Sequence, residues 1–257
     1  LVASGRTRIR AHAIPDALVA HMGHAEAGAM TIVRSVRIAT HPGLRRAGLA
    51  KALVEHVHAA LGPEVDMIGT LFGATAELVR FRRALGYVLV RVSASRGART
   101  GEPSVLMVRP LTPRAEALVA ALRAELAREL PLQLELLQAD GELLLDPALA
   151  VQLASDLPSP APLDDAAVDA AVRAYAFGQR TIESVATALT RFVGDHADRV
   201  AALSPADRAL VEGRLVARRS WSAVLAASGL SSHAAMMRAL RRAVRRLILD
   251  IGAELSA

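Results

Sequence analysis

The stretch Val36-Arg37-Ile38-Ala39-Thr40-His41-Pro42-Gly43-Leu44-Arg45-Arg46-Ala47-Gly48-Leu49-Ala50-Lys51 decides how the rest of the chain reads. Met30 to Ala39 alternates and is rich in β-branched residues (Thr31, Ile32, Val33, Val36, Ile38), which predicts a strand. Pro42 cannot continue a ladder, so the strand ends at His41-Pro42-Gly43. Leu49 to Leu61 then reads as a helix, with Leu49, Leu53, Val54 and Val57 on one face. A loop that feeds a helix N-terminus presents unpaired backbone N–H groups and the positive end of the helix dipole, and so suits a phosphate. Gly48 lets the backbone approach closely, while Arg45, Arg46 and Lys51 add charge. The stretch is expected to hold the pyrophosphate of a nucleotide-like cofactor.

Outward from this loop the pattern is α/β. Pro15 marks a helix start before Ala17-Leu18-Val19-Ala20-His21, because its missing N–H would have had no partner in a first turn. Val65 to Phe72 is a second strand, and Thr75 is placed to cap a helix over 76–85 that Gly86 closes. Tyr87 to Val92 and Val105 to Val108 complete the strands, with a Gly/Ser/Arg loop between them. Beyond Thr112 the chain reads as nearly all helix: 113–130, then about 164–176, 181–193, 205–217, 220–228 and 231–249. Asp156-Leu157-Pro158-Ser159-Pro160-Ala161-Pro162 is the clearest linker. Two domains are expected, an α/β domain over 1–112 and an all-α domain over 113–257.

The 257 residues include no cysteine, which excludes disulfides and thiolate metal sites and fits a reducing compartment. No apolar run is long enough to span a bilayer, and no basic segment followed by an apolar one opens the chain, so a cytoplasmic protein without a membrane partner is expected. The net charge of +6 is uneven: 15 basic and 7 acidic residues precede Leu111, against 16 and 18 after Pro110. A basic front half suits a polyanionic partner such as CoA or RNA. It is equally what a genome that writes Arg freely produces, since 30 of the 31 basic residues are Arg.

The spacing Arg45-x-x-Gly48-x-Ala50 resembles the acyl-CoA signature Q/R-x-x-G-x-G/A of the GNAT acetyltransferases, and the element order resembles the second half of their fold. Further stretches narrow the resemblance: Arg37-Ile38-Ala39-Thr40-His41-Pro42, Phe72-Gly73-Ala74-Thr75-Ala76-Glu77-Leu78-Val79-Arg80-Phe81, Leu85-Gly86-Tyr87, Ser104-Val105-Leu106-Met107 and Arg10-Ala11-His12-Ala13-Ile14-Pro15 are similar to the tRNA(Met) cytidine acetyltransferase family. The resemblance covers residues 6 to 112, and the tail by position and composition. It implies acetylation of the exocyclic N4 amine of the wobble cytidine in elongator tRNA(Met), with acetyl-CoA and ATP. The ATP belongs to a helicase-like module that precedes the acetyltransferase in full members. No G-x-x-x-x-G-K-[ST] occurs in this sequence, so an ATP site is not expected, and the chain reads as a fragment that starts inside the acetyltransferase domain. The family's Trp after the helix Phe is Arg82 here, and its cofactor arginine falls on Ala84, which leaves Arg83 as a substitute.

The resemblance also implies roles. Ile38, Ala39 and Thr40 would offer backbone N–H groups of a splayed strand to a thioester carbonyl, an oxyanion-hole arrangement. Arg45, Arg46, Ala47, Gly48, Leu49, Ala50 and Lys51 would wrap the pyrophosphate, and Glu77 matches an acidic cofactor-site residue. A cytidine amine is a poor nucleophile because its lone pair is delocalised, so positioning and a base are needed. His41 and His12 are the candidates for that base, with structural roles as the alternative, and the catalytic residue stays open. His56 and His58 point to different helix faces, and His21 and His24 lack a third ligand, so no metal is expected.

The tail carries a second pattern. Arg238, Arg241, Arg242, Arg245 and Arg246 fall at helical spacings opposite Met236, Leu240, Ala243, Val244 and Leu247. Such a stripe lies along an RNA backbone or is simply a solvated face. The run from Leu203-Ser204-Pro205 through Trp221 to Gly229-Leu230-Ser231 resembles a helix-turn-helix. Two alternatives therefore stand beside the tRNA reading: a GNAT enzyme acting on a protein or small-molecule amine, and a non-enzymatic nucleic-acid-binding protein whose front half senses acetyl-CoA. Aromatic residues make up only 3% of the chain, which argues against base-stacking platforms.

Overall fold

The computed structural model describes residues 12–96, 101–140 and 145–254. Arg10 and Ala11, the start of the Arg10–Pro15 stretch, lie outside the described residues. The chain forms two compact units, Leu1–Ala127 with Leu145–Pro160, and Arg128–Leu144 with Ala161–Ala257.

In the first unit, α1 (Ala13–Asp16) runs on as a π-helical turn over Ala17–His21. Then follow β1 (Ile32–Arg34), α2 (Leu49–Leu61), β2 (Met67–Gly73), α3 (Ala76–Ala84), β3 (Val88–Arg96), β4 (Pro103–Pro110), α4 (Pro113–Asp140) and α5 (Pro147–Ala154). The sheet order is β1-β2-β4-β3, with β1 parallel to β2 and the other pairs antiparallel. Both faces of the sheet are covered. Met67, Val90, Leu106 and Val108 pack with Ile14, Leu18, Ala115, Leu118 and Leu122. Their sequence neighbours Ile68, Leu89 and Met107 point the other way and are also buried.

The expected strand over Met30 to Ala39 is much shorter. Only Ile32, Val33 and Arg34 pair with β2, opposite Met67, Ile68 and Gly69. The Ser35 N–H donates to Gly69 O at 2.8 Å, and there the ladder stops, although β2 continues to Gly73 against β4. The apolar face assigned to α2 is also divided. Val54 and His58 are buried, whereas Leu49, Leu53 and Val57 are exposed.

Two polar clusters hold these elements in register. The Asp66 carboxylate accepts from Thr31 N at 2.8 Å, Thr112 Oγ1 at 2.9 Å and Arg114 Nε at 2.6 Å, with Arg114 Nη2 as a further donor. It thus ties the approach to β1, the start of β2 and the first turn of α4. In the second cluster, Arg109 Nη1 donates to Leu85 O at 3.1 Å and to His58 Nδ1 at 2.7 Å, which leaves His58 Nε2 to donate to the Tyr87 hydroxyl at 2.9 Å. Burial and the Arg109 and Arg82 charges push the His58 pKa down, so the imidazole stays neutral.

The second unit is helical: the end of α4, α6 (Asp165–Phe177), α7 (Ala186–Asp195), α8 (Ala197–Ala202), α9 (Pro205–Val211), α10 (Trp221–Ser228) and α11 (His233–Glu254). Its core joins Val172, Leu189, Val211, Leu240 and Val244. Asp164, Ser204 and Ser220 cap α6, α9 and α10 through their side chains. The fully buried Arg214 pairs with Asp140 at 2.7 Å and lies over the Trp221 ring at 4.2 Å.

Sequence periodicity places these helices well and misses α5 and α8. The helix expected over 113–130 runs ten residues further, through Pro131, at the cost of the bond its absent N–H would make to Ala127 O. The compact units are also cut differently from the expected 1–112 and 113–257. Ala115, Leu118, Val119 and Leu122 of α4 belong to the core under the sheet, and α5 returns to the first unit.

Replacing Asp66 by Ala removes the acceptor for all these donors and should lower unfolding free energy by about 2 kcal/mol, read from urea denaturation. The Arg114 hydrogen bonds, against the cost of burial and with help from Thr31 and Thr112, hold the Asp66 carboxyl well below the usual carboxylate range. Its contribution is therefore complete above the ordinary carboxylate pKa and is lost as pH falls below it. The Asp66→Ala variant should show a flatter acid limb of stability than the parent.

Candidate functional site

The early end of the β1–β2 ladder creates the site. From Val36 to Thr40 the backbone N–H groups find no backbone acceptor among the described residues. His41 then starts a 3-10 turn over Pro42–Leu44, its Nδ1 accepting from Gly43 N at 3.2 Å. Arg46 and Gly48 follow with positive φ angles of 64° and 81°. Gly48 is the N-cap of α2 and supplies no side-chain oxygen, so the amides of Leu49, Ala50 and Lys51 keep no side-chain cap. The first intrahelical bond runs from Ala52 N to Gly48 O at 3.0 Å.

These elements enclose one side of a cleft of about 810 Å³. Ile38, Ala39, Thr40, Arg45, Arg46, Gly48, Leu49, Ala50, Lys51 and Glu77 line it, which is every candidate cofactor residue but Ala47. Ala47 is exposed instead. Leu44, Leu78 and Phe81 also line the cleft and were missed from sequence, since an apolar side chain gives no such signal until the fold shows what faces the opening. Thr75 Oγ1 caps α3 by accepting from Leu78 N at 3.2 Å, which sets Glu77 in the first turn of that helix. The cleft therefore combines free amides, a helix N-terminus, three cations and a strip of apolar wall.

The histidines separate. His41 uses Nδ1 to accept within its own loop, so its proton sits on Nε2 and the side chain is occupied in shaping the turn. His12 is exposed just before α1. His58 is buried in the Arg109–Tyr87 network and His56 is exposed. His24 bridges Glu26 at 3.0 Å and Glu125 at 3.1 Å, and these partners raise its pKa despite burial. Arg83 does not reach the cleft. It donates to Gln152, to Ser155 Oγ and to Ser155 O, at the C-terminal end of α5.

The arginine stripe of α11 divides in the same way. Arg241 donates to Tyr175 O, to Gly178 O at 2.7 Å and to Arg180 O at 2.9 Å, and lies over the Tyr175 ring at 4.4 Å. Arg245 donates to Ala176 O at 2.8 Å. Both thus cap the C-terminus of α6, where unpaired carbonyls and the negative helix end favour cations. Arg246 pairs with Asp207. Arg238 and Arg242 are exposed and make no such contact among the described residues. Among the described residues no group of three or more His, Asp or Glu is arranged to hold a metal, and no helix is long and apolar enough to cross a membrane.

The fold and cleft define an acetyltransferase domain of the GNAT class, and the family model GNAT acetyltransferase 2 matches residues 49–112. Over 97% of its length the chain is 36% identical to the tRNA(Met) cytidine acetyltransferase TmcA of Nitrosococcus halophilus, of which it covers 34%. It is 40% identical over 45% of its length to the TmcA of Haloarcula marismortui and 42% identical over 41% to that of Methanopyrus kandleri, covering 15% and 12% of those proteins. The chain is thus similar over almost its whole length to a tRNA(Met) cytidine acetyltransferase, and spans about a third of the first of these relatives and less of the others.

Because Arg241 satisfies three carbonyls and Arg238 none, Arg241→Ala should cost about 2–3 kcal/mol of stability. Arg238→Ala should change it by no more than about 0.5 kcal/mol. Denaturant melts of the two variants check this contrast.

Proposed function

We propose that this chain carries the acetyl-transfer site of a tRNA(Met) cytidine acetyltransferase, moving an acetyl group from acetyl-CoA to N4 of the wobble cytidine. The observation that carries the reading is the convergence of Ile38 to Thr40, whose amides have no backbone acceptor among the described residues, the Gly48-capped start of α2 and Glu77 on one cleft. The names of the relatives support the substrate.

The residues present suit acetyl-CoA. Its pyrophosphate needs several N–H donors and cationic side chains, which Leu49, Ala50, Lys51, Arg45 and Arg46 can supply. The positive φ of Gly48 turns the backbone toward such a ligand without a Cβ. Leu44, Leu78 and Phe81 give an apolar wall suited to the pantetheine arm. When bound, acetyl-CoA supplies an activated acyl thioester. The unpaired amides of Ile38 to Thr40 would donate to a carbonyl oxygen as negative charge grows on it under attack. With His41 held in its turn, rate enhancement rests on orientation of the cytidine amine more than on a strong base in this chain.

In the second unit, the proposed RNA contact narrows to Arg238 and Arg242, because Arg241, Arg245 and Arg246 already hold protein partners. α10, the left-handed Gly229 (φ 67°) and α11 follow one another as helix, turn and helix, an order that supports duplex DNA as a rival partner.

Calorimetry with the full chain should show acetyl-CoA binding that weakens at least tenfold in Gly48→Glu, and unchanged affinity would remove the loop from the site. Incubation with acetyl-CoA and elongator tRNA(Met), followed by nucleoside mass spectrometry, should yield N4-acetylcytidine. Acetylation of a peptide or polyamine in its place would favour the protein or small-molecule reading. Duplex DNA outcompeting tRNA would favour the non-enzymatic one.

A further inference from the structure

A second, smaller cavity lies in the first unit, away from the residues of the cleft. It measures about 260 Å³ and is walled by Val88, Leu89 and Leu157, with Arg83 and Arg123 both on its lining. Two guanidinium groups on the lining of one partly apolar cavity repel each other unless an anion joins them. The protein supplies little compensation. Asp156 approaches Arg83 Nε at 3.6 Å, but its side chain is 73% exposed and so well screened by water. The remaining partners of Arg83 are uncharged, namely Gln152 Oε1, Ser155 Oγ and Ser155 O. Burial lowers the Arg83 pKa; Asp156 opposes the shift, and the Arg123 charge adds to it. Arg123 Nε is closed off from solvent and has no hydrogen-bond partner, a costly state for a guanidinium N–H.

We infer that Arg123 and Arg83 form a second anion site, which takes one phosphate group between the C-terminal end of α3, the start of β3 and the turn after α5. A phosphate presents several acceptor oxygens, enough to engage the two guanidinium groups on the lining together. The cavity is smaller than typical pockets for whole ligands, which argues for a single phosphate rather than a nucleotide. Arg83 has a structural duty as well, since it holds the C-terminus of α5. Arg123 Nε has no hydrogen-bond partner among the described residues, and no comparable duty is seen there for Arg123, which fits it to be the ligand-responsive member. The inference is independent of the acetyl-transfer reading and of the cleft that carries it. The shared chemistry is a tetrahedral phosphate, either free or as a phosphodiester of RNA.

The test is a titration of the full chain with inorganic phosphate at constant ionic strength, followed by heteronuclear NMR at Arg123 Nε–H and the Leu157 amide. Saturable shifts are expected there. They should persist in Arg45→Ala/Arg46→Ala, which disarms the cleft, and weaken at least tenfold in Arg123→Gln. No saturable shift in the parent chain, or the same affinity in Arg123→Gln, overturns the inference. Should Arg123→Gln fail to fold, Arg123→Lys keeps the charge without the forked donors and must weaken phosphate at least threefold; unchanged affinity there overturns the site equally. Added tRNA separates the sources. Displacement of phosphate by tRNA, with a salt slope of tRNA binding reduced by about one in the Arg123 variant, identifies a phosphodiester. Resonances unmoved by tRNA, with phosphate binding intact, identify free phosphate.

Discussion

The parallel ladder between β1 and β2 ends with the Ser35 N–H to Gly69 O bond, and the geometry of the cleft depends on that ending. Had pairing continued to Ala39, the amides of Ile38 and its neighbours would be spent on β2, and the chain would approach α2 from within the sheet. Instead β2 stays in register with β4 to Gly73 while the other chain departs. Its donors turn toward an opening, and the loop re-enters at Gly48 as the cap of α2. The left-handed Arg46 and Gly48 make that re-entry sharp enough to bring loop and helix start to the same side.

Around this opening the first unit is tied firmly by polar groups at its margins. Asp66 links three segments far apart in sequence, and Arg109 threads between α2, the end of α3 and β4. Both clusters act on elements that line or support the cleft, so its walls are anchored while its donors stay free. That division suits a site which must bind an anion without rearranging.

Several of the described arginines are taken up by protein partners rather than left to solvent. Arg83 closes α5, Arg241 and Arg245 close α6, and Arg214 is sunk against Asp140 and Trp221. A basic stripe read from spacing alone cannot tell these from solvent-facing cations. Helical periodicity reports which side chains share a face, and not whether a neighbouring helix end arrives on that face. The same limit explains α2, whose apolar arc is wider than the surface it buries: Val54 and His58 pack inward, while Leu49, Leu53 and Val57 remain exposed.

By itself the sequence determined the α/β order of the front half and the helical tail, because hydrophobic period and Gly/Pro punctuation are local properties. It also singled out the Arg45-x-x-Gly48-x-Ala50 loop, since backbone freedom and charge are written in residue type, whereas Glu77 was implied only by the family resemblance. Only the tertiary structure decided that the strand before the loop is three residues long, that Leu44, Leu78 and Phe81 complete the cleft wall, and that Arg83, Arg241 and Arg245 face protein carbonyls. The physical reason is the same in each case. Where a ladder ends, and which donor meets which acceptor, depends on segments tens of residues away, and their approach is fixed by packing of the whole unit.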